Sequence, residues 1–138
     1  MTHSTLETSI LRTPDLFAAL APEWNAVLRA SLADTPFLTF EWQQTWWDCL
    51  GEGELWVITV RDGGALVGLA PLFSLSQPDK DGQVRRLLRL IGSVDASDYL
   101  DLIAVRGRER EVLDALLDAL VQSADWDALD LYLSLIHI

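Results

Sequence analysis

The chain has 138 residues, half of them apolar, and a formal net charge of −11. This is one domain's length with enough apolar content for a core, and such an acidic balance argues against a nucleic-acid backbone or an anionic membrane surface as partner. No apolar run approaches the roughly 20 residues of a membrane span. The N-terminus, MTHSTLETSI, lacks the basic and apolar regions of a signal peptide. The single cysteine, Cys49, makes no internal disulfide and fits a cytoplasmic location. His3 and His137 stand at opposite ends, and no cluster of His, Cys and carboxylates has a metal-binding spacing.

In chain order, Leu6 to Leu11 reads as a first strand. Thr13-Pro14-Asp15 reads as a helix start, with Thr13 as cap and Pro14 at the first helical position. Leu16, Phe17, Leu20, Trp24, Val27 and Leu28 form the buried stripe of that helix; Pro22 falls inside it and predicts a kink or a second start. Asp34-Thr35-Pro36 breaks the helix. Thr39 then caps another, Phe40 to Leu50, closed by Gly51. This helix carries Trp42 and Trp46 on one face at i, i+4, with Trp47 beside them. Core packing is the plain reading of these rings; an aromatic wall for a substrate is the functional one.

Leu55 to Val60 is apolar on both faces and reads as a central strand. Asp62-Gly63-Gly64 is a hairpin turn, and Ala65 to Phe73 the partner strand, with Pro71 near its end, where a lost N–H costs little. Residues 76 to 83, SQPDKDGQ, read as a solvated loop, and Val84 to Ile91 as a third strand with Arg85 and Arg89 on one face. A solvated face explains those arginines more simply than an anion site does. Tyr99 to Ala104 reads as a fourth strand, Arg106-Gly107-Arg108 as a tight basic turn, and Val112, Leu113, Leu116, Leu117, Leu120 and Val121 as the sticky face of a third helix. A strand feeding a helix through a glycine turn is a place where free N–H groups can hold phosphate. Trp126 to Tyr132 reads as a fifth strand.

The stretch TPFLTFEWQQTWWDCLGEGELWVITVRDGGALVGLAPLF, followed by RRLLRLIGSVDASDYLDLIA, resembles the FemAB-like, CelD-like acyltransferases of the GNAT superfamily. The matching residues are Pro36, Phe37, Glu41, Trp42, Trp46, Trp47, Gly68, Leu69, Ala70, Pro71, Leu72, Ser97, Asp98, Tyr99 and Asp101. The resemblance implies an α+β fold with a GNAT-like, mixed and mostly antiparallel sheet flanked by helices. It implies two such halves in tandem, this chain being the first, degenerate one, C-terminally truncated, with the second half as its partner.

The implied reaction moves an acyl group from a thioester, acyl-CoA (acetyl-CoA), to an amine or hydroxyl. The nucleophile would attack directly, a carboxylate or water chain taking its proton and backbone N–H groups holding the thioester oxygen. Asp98 and Tyr99 are the weak catalytic candidates. Asp98 is alternatively a loop clamp that accepts local backbone N–H groups. Trp42, Trp46, Trp47, Asp95 and Asp101 are candidates for the acceptor side. A small molecule, a saccharide or a peptidoglycan-type precursor would all serve as acceptor.

The superfamily signature for the donor, Q/R-x-x-G-x-G/A, is only partly kept. Arg106 takes its first place, but Glu109 and Glu111 stand where glycines should be. Arg106, Gly107 and Arg108 therefore read as a vestigial donor site, with no acyl-CoA bound by this chain alone and no activity of its own. A non-catalytic acceptor-binding or packing module is the alternative. The last six residues, LSLIHI, resemble the translated read-through of a sequencing adapter. This predicts a native domain over 1–132 and a non-native tail over 133–138; a genuine apolar strand ending is the other reading.

Overall fold

A computed structural model describes residues 6–32, 35–92, 102–123 and 126–130. The elements run β1 (Leu6–Leu11), α1 (Leu16–Arg29), a 3-10 turn (Pro36–Leu38), α2 (Phe40–Leu50), β2 (Glu54–Leu55), β3 (Val57–Asp62), β4 (Ala65–Ala70), β5 (Leu72–Pro78), β6 (Val84–Leu90), β7 (Ile103–Ala104), α3 (Glu109–Gln122) and β8 (Ala128–Asp130). The strands form two ladders, in the orders β1-β3-β4-β7 and β2-β5-β6-β8. Every pairing is antiparallel except β6 with β8. The architecture is the α+β, mostly antiparallel sheet with flanking helices expected above.

The two ladders share one long hairpin. Its arms are interrupted at Trp56 and at Pro71, which has no N–H to give. The register carries across the break: Ile58 faces Ala70 on one side of it and Leu55 faces Phe73 on the other. Trp56 N donates to Leu72 O at 2.9 Å, and Ile91 N to Pro71 O at 2.8 Å, which bridges the interruption. Pro71 thus follows the end of β4 directly, and the missing donor divides the ladder there, so the strand expected to run on to Phe73 is split into β4 and β5. The expected loop over 76–83 is shorter, because β5 runs on to Pro78 and only the Asp79–Gln83 turn separates it from β6.

Helix α1 buries Leu16, Phe17, Leu20, Trp24, Val27 and Leu28, the six positions its period predicts. It starts later than expected: Asp15, not Thr13, is the N-cap, and neither a side-chain cap nor a first-turn acid is present. Pro22 neither ends nor restarts it. The ring lies on the exposed side of a continuous 14-residue helix, so the core face keeps its packing. Helix α2 begins and ends as predicted, Thr39 Oγ1 accepting from Trp42 N at 3.2 Å.

The helices cover opposite faces of the sheet. A Cβ at Gly68 would come within 2.3 Å of Val112 Cγ1, so α3 lies against the face to which residue 68 points. Phe73, of opposite parity along the same hairpin arm, meets Trp46 and Trp47 of α2, with ring centroids 5.4 and 5.8 Å away. One core joins both layers, from Phe17, Trp24 and Leu38 through Trp56, Leu69 and Leu88 to Val112 and Leu116. A one-residue register shift at Val60/Arg61 marks a bulge in the β3–β4 pair. There Arg61 reaches α1, donating through both terminal nitrogens to Glu23 at 2.9 and 3.0 Å and to Gly64 O at 2.9 Å.

Of the predicted fourth strand, only Ile103–Ala104 is a strand among the described residues; of the predicted fifth, Ala128–Asp130 is strand and Trp126 and Asp127 are not, while Leu131 and Tyr132 lie outside the described residues. Among the described residues no helix is long and apolar enough to cross a membrane.

Candidate functional site

The turn between β7 and α3 is built as the sequence suggests. Val105 N donates to Val67 O at 3.0 Å and Arg106 N to Ala30 O at 2.8 Å, which pins the end of β7 to β4 and to the end of α1. The chain then reverses at Gly107, whose φ of +86° only glycine adopts without strain. Arg108 follows as the N-cap residue of α3 and makes no side-chain cap bond.

One N–H of this turn is already used. Gly107 N donates to Glu109 Oε1 at 2.9 Å, so the chain's own carboxylate occupies the place of an anion. Glu111 turns elsewhere, accepting from Arg108 Nε and Nη2 at 3.2 Å each. Arg108 Nη1 donates to Asp62 Oδ2 at 2.7 Å, which ties the hairpin turn to the start of α3. Bonds to Glu111 and Asp62 raise the guanidinium pKa above its ordinary value. The bond from Arg108 lowers that of the Glu111 carboxyl. In sequence both glutamates alike replace glycines of the donor signature. The structure separates them: Glu109 fills the turn, and Glu111 holds the arginine. Asp62 was not foreseen here, because 46 positions separate it from Arg108 and only the fold brings them together.

The tryptophans of α2 do not form one surface. Trp46 and Trp47 are half-buried and both rest on Phe73. Trp42 stands edge-on to Phe37, with centroids 5.0 Å apart. The only fully buried residue of α2 is Gln43. Its Nε2 donates to Phe37 O at 2.9 Å and to Ile91 O at 3.1 Å, joining the 3-10 turn, α2 and the end of β6. Gln43 carries one signal in the sequence, a polar residue inside an aromatic cluster.

Asp95, Asp98, Tyr99 and Asp101 lie outside the described residues. Arg85 is exposed and paired with Asp79 at 2.9 Å, as a solvated face requires, whereas Arg89 is half-buried opposite Phe73. Among the described residues no group of three or more His, Cys, Asp or Glu is placed to hold a metal ion.

No protein-family model matches the chain, and no curated protein does. Solved structures match it in fold. A ribosomal-protein-alanine N-acetyltransferase from Brucella melitensis biovar Abortus 2308 aligns over 97% of this chain and 83% of its own, with a TM-score of 0.58 and 17% identity. An aminoglycoside acetyltransferase from an uncultured soil metagenomic sample aligns over 96% and 82%, with a TM-score of 0.59 and 15% identity. A transcriptional regulator from Bacillus halodurans C-125 aligns over 95% and 83%, with a TM-score of 0.57 and 9% identity. At such identities the likeness is one of fold, and the fold is the GNAT-like α+β sheet.

Proposed function

We propose that this chain is the degenerate N-terminal half of a GNAT-type, FemAB-like N-acyltransferase, contributing scaffold and acceptor side but holding no acyl donor itself. One observation carries the reading. At the turn that would cradle a pyrophosphate, Gly107 donates its N–H to Glu109 Oε1, and Arg108 is engaged by Asp62 and Glu111. A pyrophosphate entering here would displace one carboxylate from the N–H and approach a second at Glu111. Carboxylates in the first turn suit the helix dipole and oppose an incoming anion. The residues present therefore do not fit acyl-CoA, and the donor belongs to another part of the protein. Two of the neighbours described above are acetyltransferases by name, which supports acyl transfer as the activity of the whole.

A second reading keeps the fold and removes the chemistry, as a non-catalytic acceptor-binding or packing module. The same filled turn favours it, and the transcriptional regulator among the neighbours shows that this fold is not tied to one kind of protein. Reading the gene through its 3′ end separates the two, since a second GNAT-type half with an intact glycine turn follows only in the first. For the chain itself, calorimetry with acetyl-CoA should show no binding. Glu109→Gly with Glu111→Gly should restore little, because the signature glycines are only part of a donor cleft. A micromolar dissociation constant for the unaltered chain would overturn the proposal.

A further inference from the structure

The interruption of the long hairpin at Pro71 has a counterpart in α2. The register that pairs Leu72 with Leu90 carries on to set residue 71 opposite Ile91. Ile91 N donates to Pro71 O at 2.8 Å, which makes this a hydrogen-bonded pair. Two residues in such a pair exchange both bonds, each giving its N–H to the other's carbonyl. Proline has no N–H, so the return bond from residue 71 to Ile91 O cannot form. That carbonyl belongs to a fully buried residue, where an unmet acceptor is destabilising. Gln43 Nε2 meets it instead, at 3.1 Å, from a side chain that is itself fully buried.

We infer that Gln43 stands in for the missing N–H of Pro71, so that the end of β6 is latched to a helix and not to its neighbouring strand. The carboxamide can face only one way, because turned over it would set Oε1 against the carbonyls of Phe37 and Ile91. In the orientation it keeps, Oε1 is buried and accepts no hydrogen bond. Release of the side chain into water would satisfy that oxygen, so the latch opens more readily than a strand pair satisfied on both sides. It is also conditional on α2. A backbone pair holds wherever its two strands run together; this bond holds only while Trp46 and Trp47 keep α2 seated on Phe73. Those two rings are candidates for the acceptor side, so a ligand that shifts α2 would free the end of β6. That last consequence rests on the proposed function; the pairing of Gln43 with Ile91 does not.

Amide exchange of the full chain, followed by NMR, reads the latch at the Ile91 N–H. Gln43→Met keeps an unbranched side chain and removes the donor. It should speed exchange at Ile91 about tenfold relative to the amides of β3. Pro71→Ala restores a backbone donor, and in that background Gln43→Met should change the relative rate at Ile91 by less than about threefold. Trp47→Ala, which loosens α2, should show the same dependence on background. In Pro71→Ala alone, a scalar coupling through the hydrogen bond from the residue 71 nitrogen to the Ile91 carbonyl carbon should appear, whether or not a Gln43 variant folds. Equal acceleration by either substitution in both backgrounds would overturn the inference. So would an Ile91 rate that Gln43→Met leaves unchanged, or the absence of that coupling.

Discussion

Helices α1 and α3 are each 14 residues long, and each carries six large apolar side chains at helical spacing. Helix α1 hides all six; α3 hides three. The sequence pattern is nearly the same, and the surroundings differ. Helix α1 lies between the sheet and the start of α2: Trp24 Nε1 donates to Leu38 O at 2.9 Å, Trp24 and Phe17 meet Phe40 edge-on, and Asn25 bonds both Glu41 and the Phe40 N–H. Helix α3 rests on the sheet and has no such neighbour along its outer side among the described residues. A period of 3.6 tells which side chains can share a face; it does not tell how many elements will cover that face.

The difference can be tested by breaking each helix where it is held. The largest effect should come from Trp24→Ala, which empties a fully buried site and orphans the Leu38 carbonyl. We expect a loss of about 3–5 kcal/mol in chemical denaturation. Gly68→Ala should come next. Its Cβ would stand 2.3 Å from Val112 Cγ1, so the buried Val112 side chain must turn or α3 must shift. Overpacking of this kind costs about 1–3 kcal/mol, and its mark should be faster hydrogen exchange in α3 than in α1.

A smaller effect belongs to the pair that fastens α1 to the bulged strand. Arg61 holds the Glu23 carboxyl below its ordinary 4.5, chiefly through its hydrogen bond, and Glu23 raises Arg61 in turn. A carboxyl with a depressed folded pKa contributes stability that is present above its unfolded value and is lost as pH falls through the folded one. Glu23→Gln should therefore cost about 0.5–1 kcal/mol at neutral pH, since both side chains are about one-third exposed and screened. The difference from the unaltered chain should shrink as pH falls below 4.5. A gap that stays constant from pH 7 to pH 3 would assign the cost to packing, not to charge.

How far the sequence carries is visible in the same elements. The stripe of α1, the Thr39 cap and the Gly63-Gly64 turn were legible because each depends on neighbours a few positions away. The continuity of α1 through Pro22 was not, since tertiary packing of the opposite face outweighs one lost backbone bond. Nor was the break at Pro71, which is an interruption only because a strand pairs with it on either side. At the candidate site the glycine turn and the two misplaced glutamates could be read in order. Their division of labour could not, because it depends on Asp62 reaching Arg108 across the fold.

The smallest expected effect is the sharpest test of the contrast between the helices. Leu117 has the same residue type, helix length and spacing as Leu20, so propensity and pattern treat the two alike. Leu20 is 2% exposed, and Leu117 is 45% exposed. Changing Leu117 to Gln removes little burial, keeps a straight-chain helix former and opens no cavity. Its effect on stability should stay within about 0.5 kcal/mol, the range of ordinary surface changes. Leu20→Gln, in contrast, would bury an amide without a partner and cost several-fold more. Thermal and urea melts of the two single variants check this directly. If Leu117→Gln destabilises as much as Leu20→Gln, α3 is covered within the chain itself, and the two helices do not differ. If it is neutral, Leu117 is free to serve a contact made with something else.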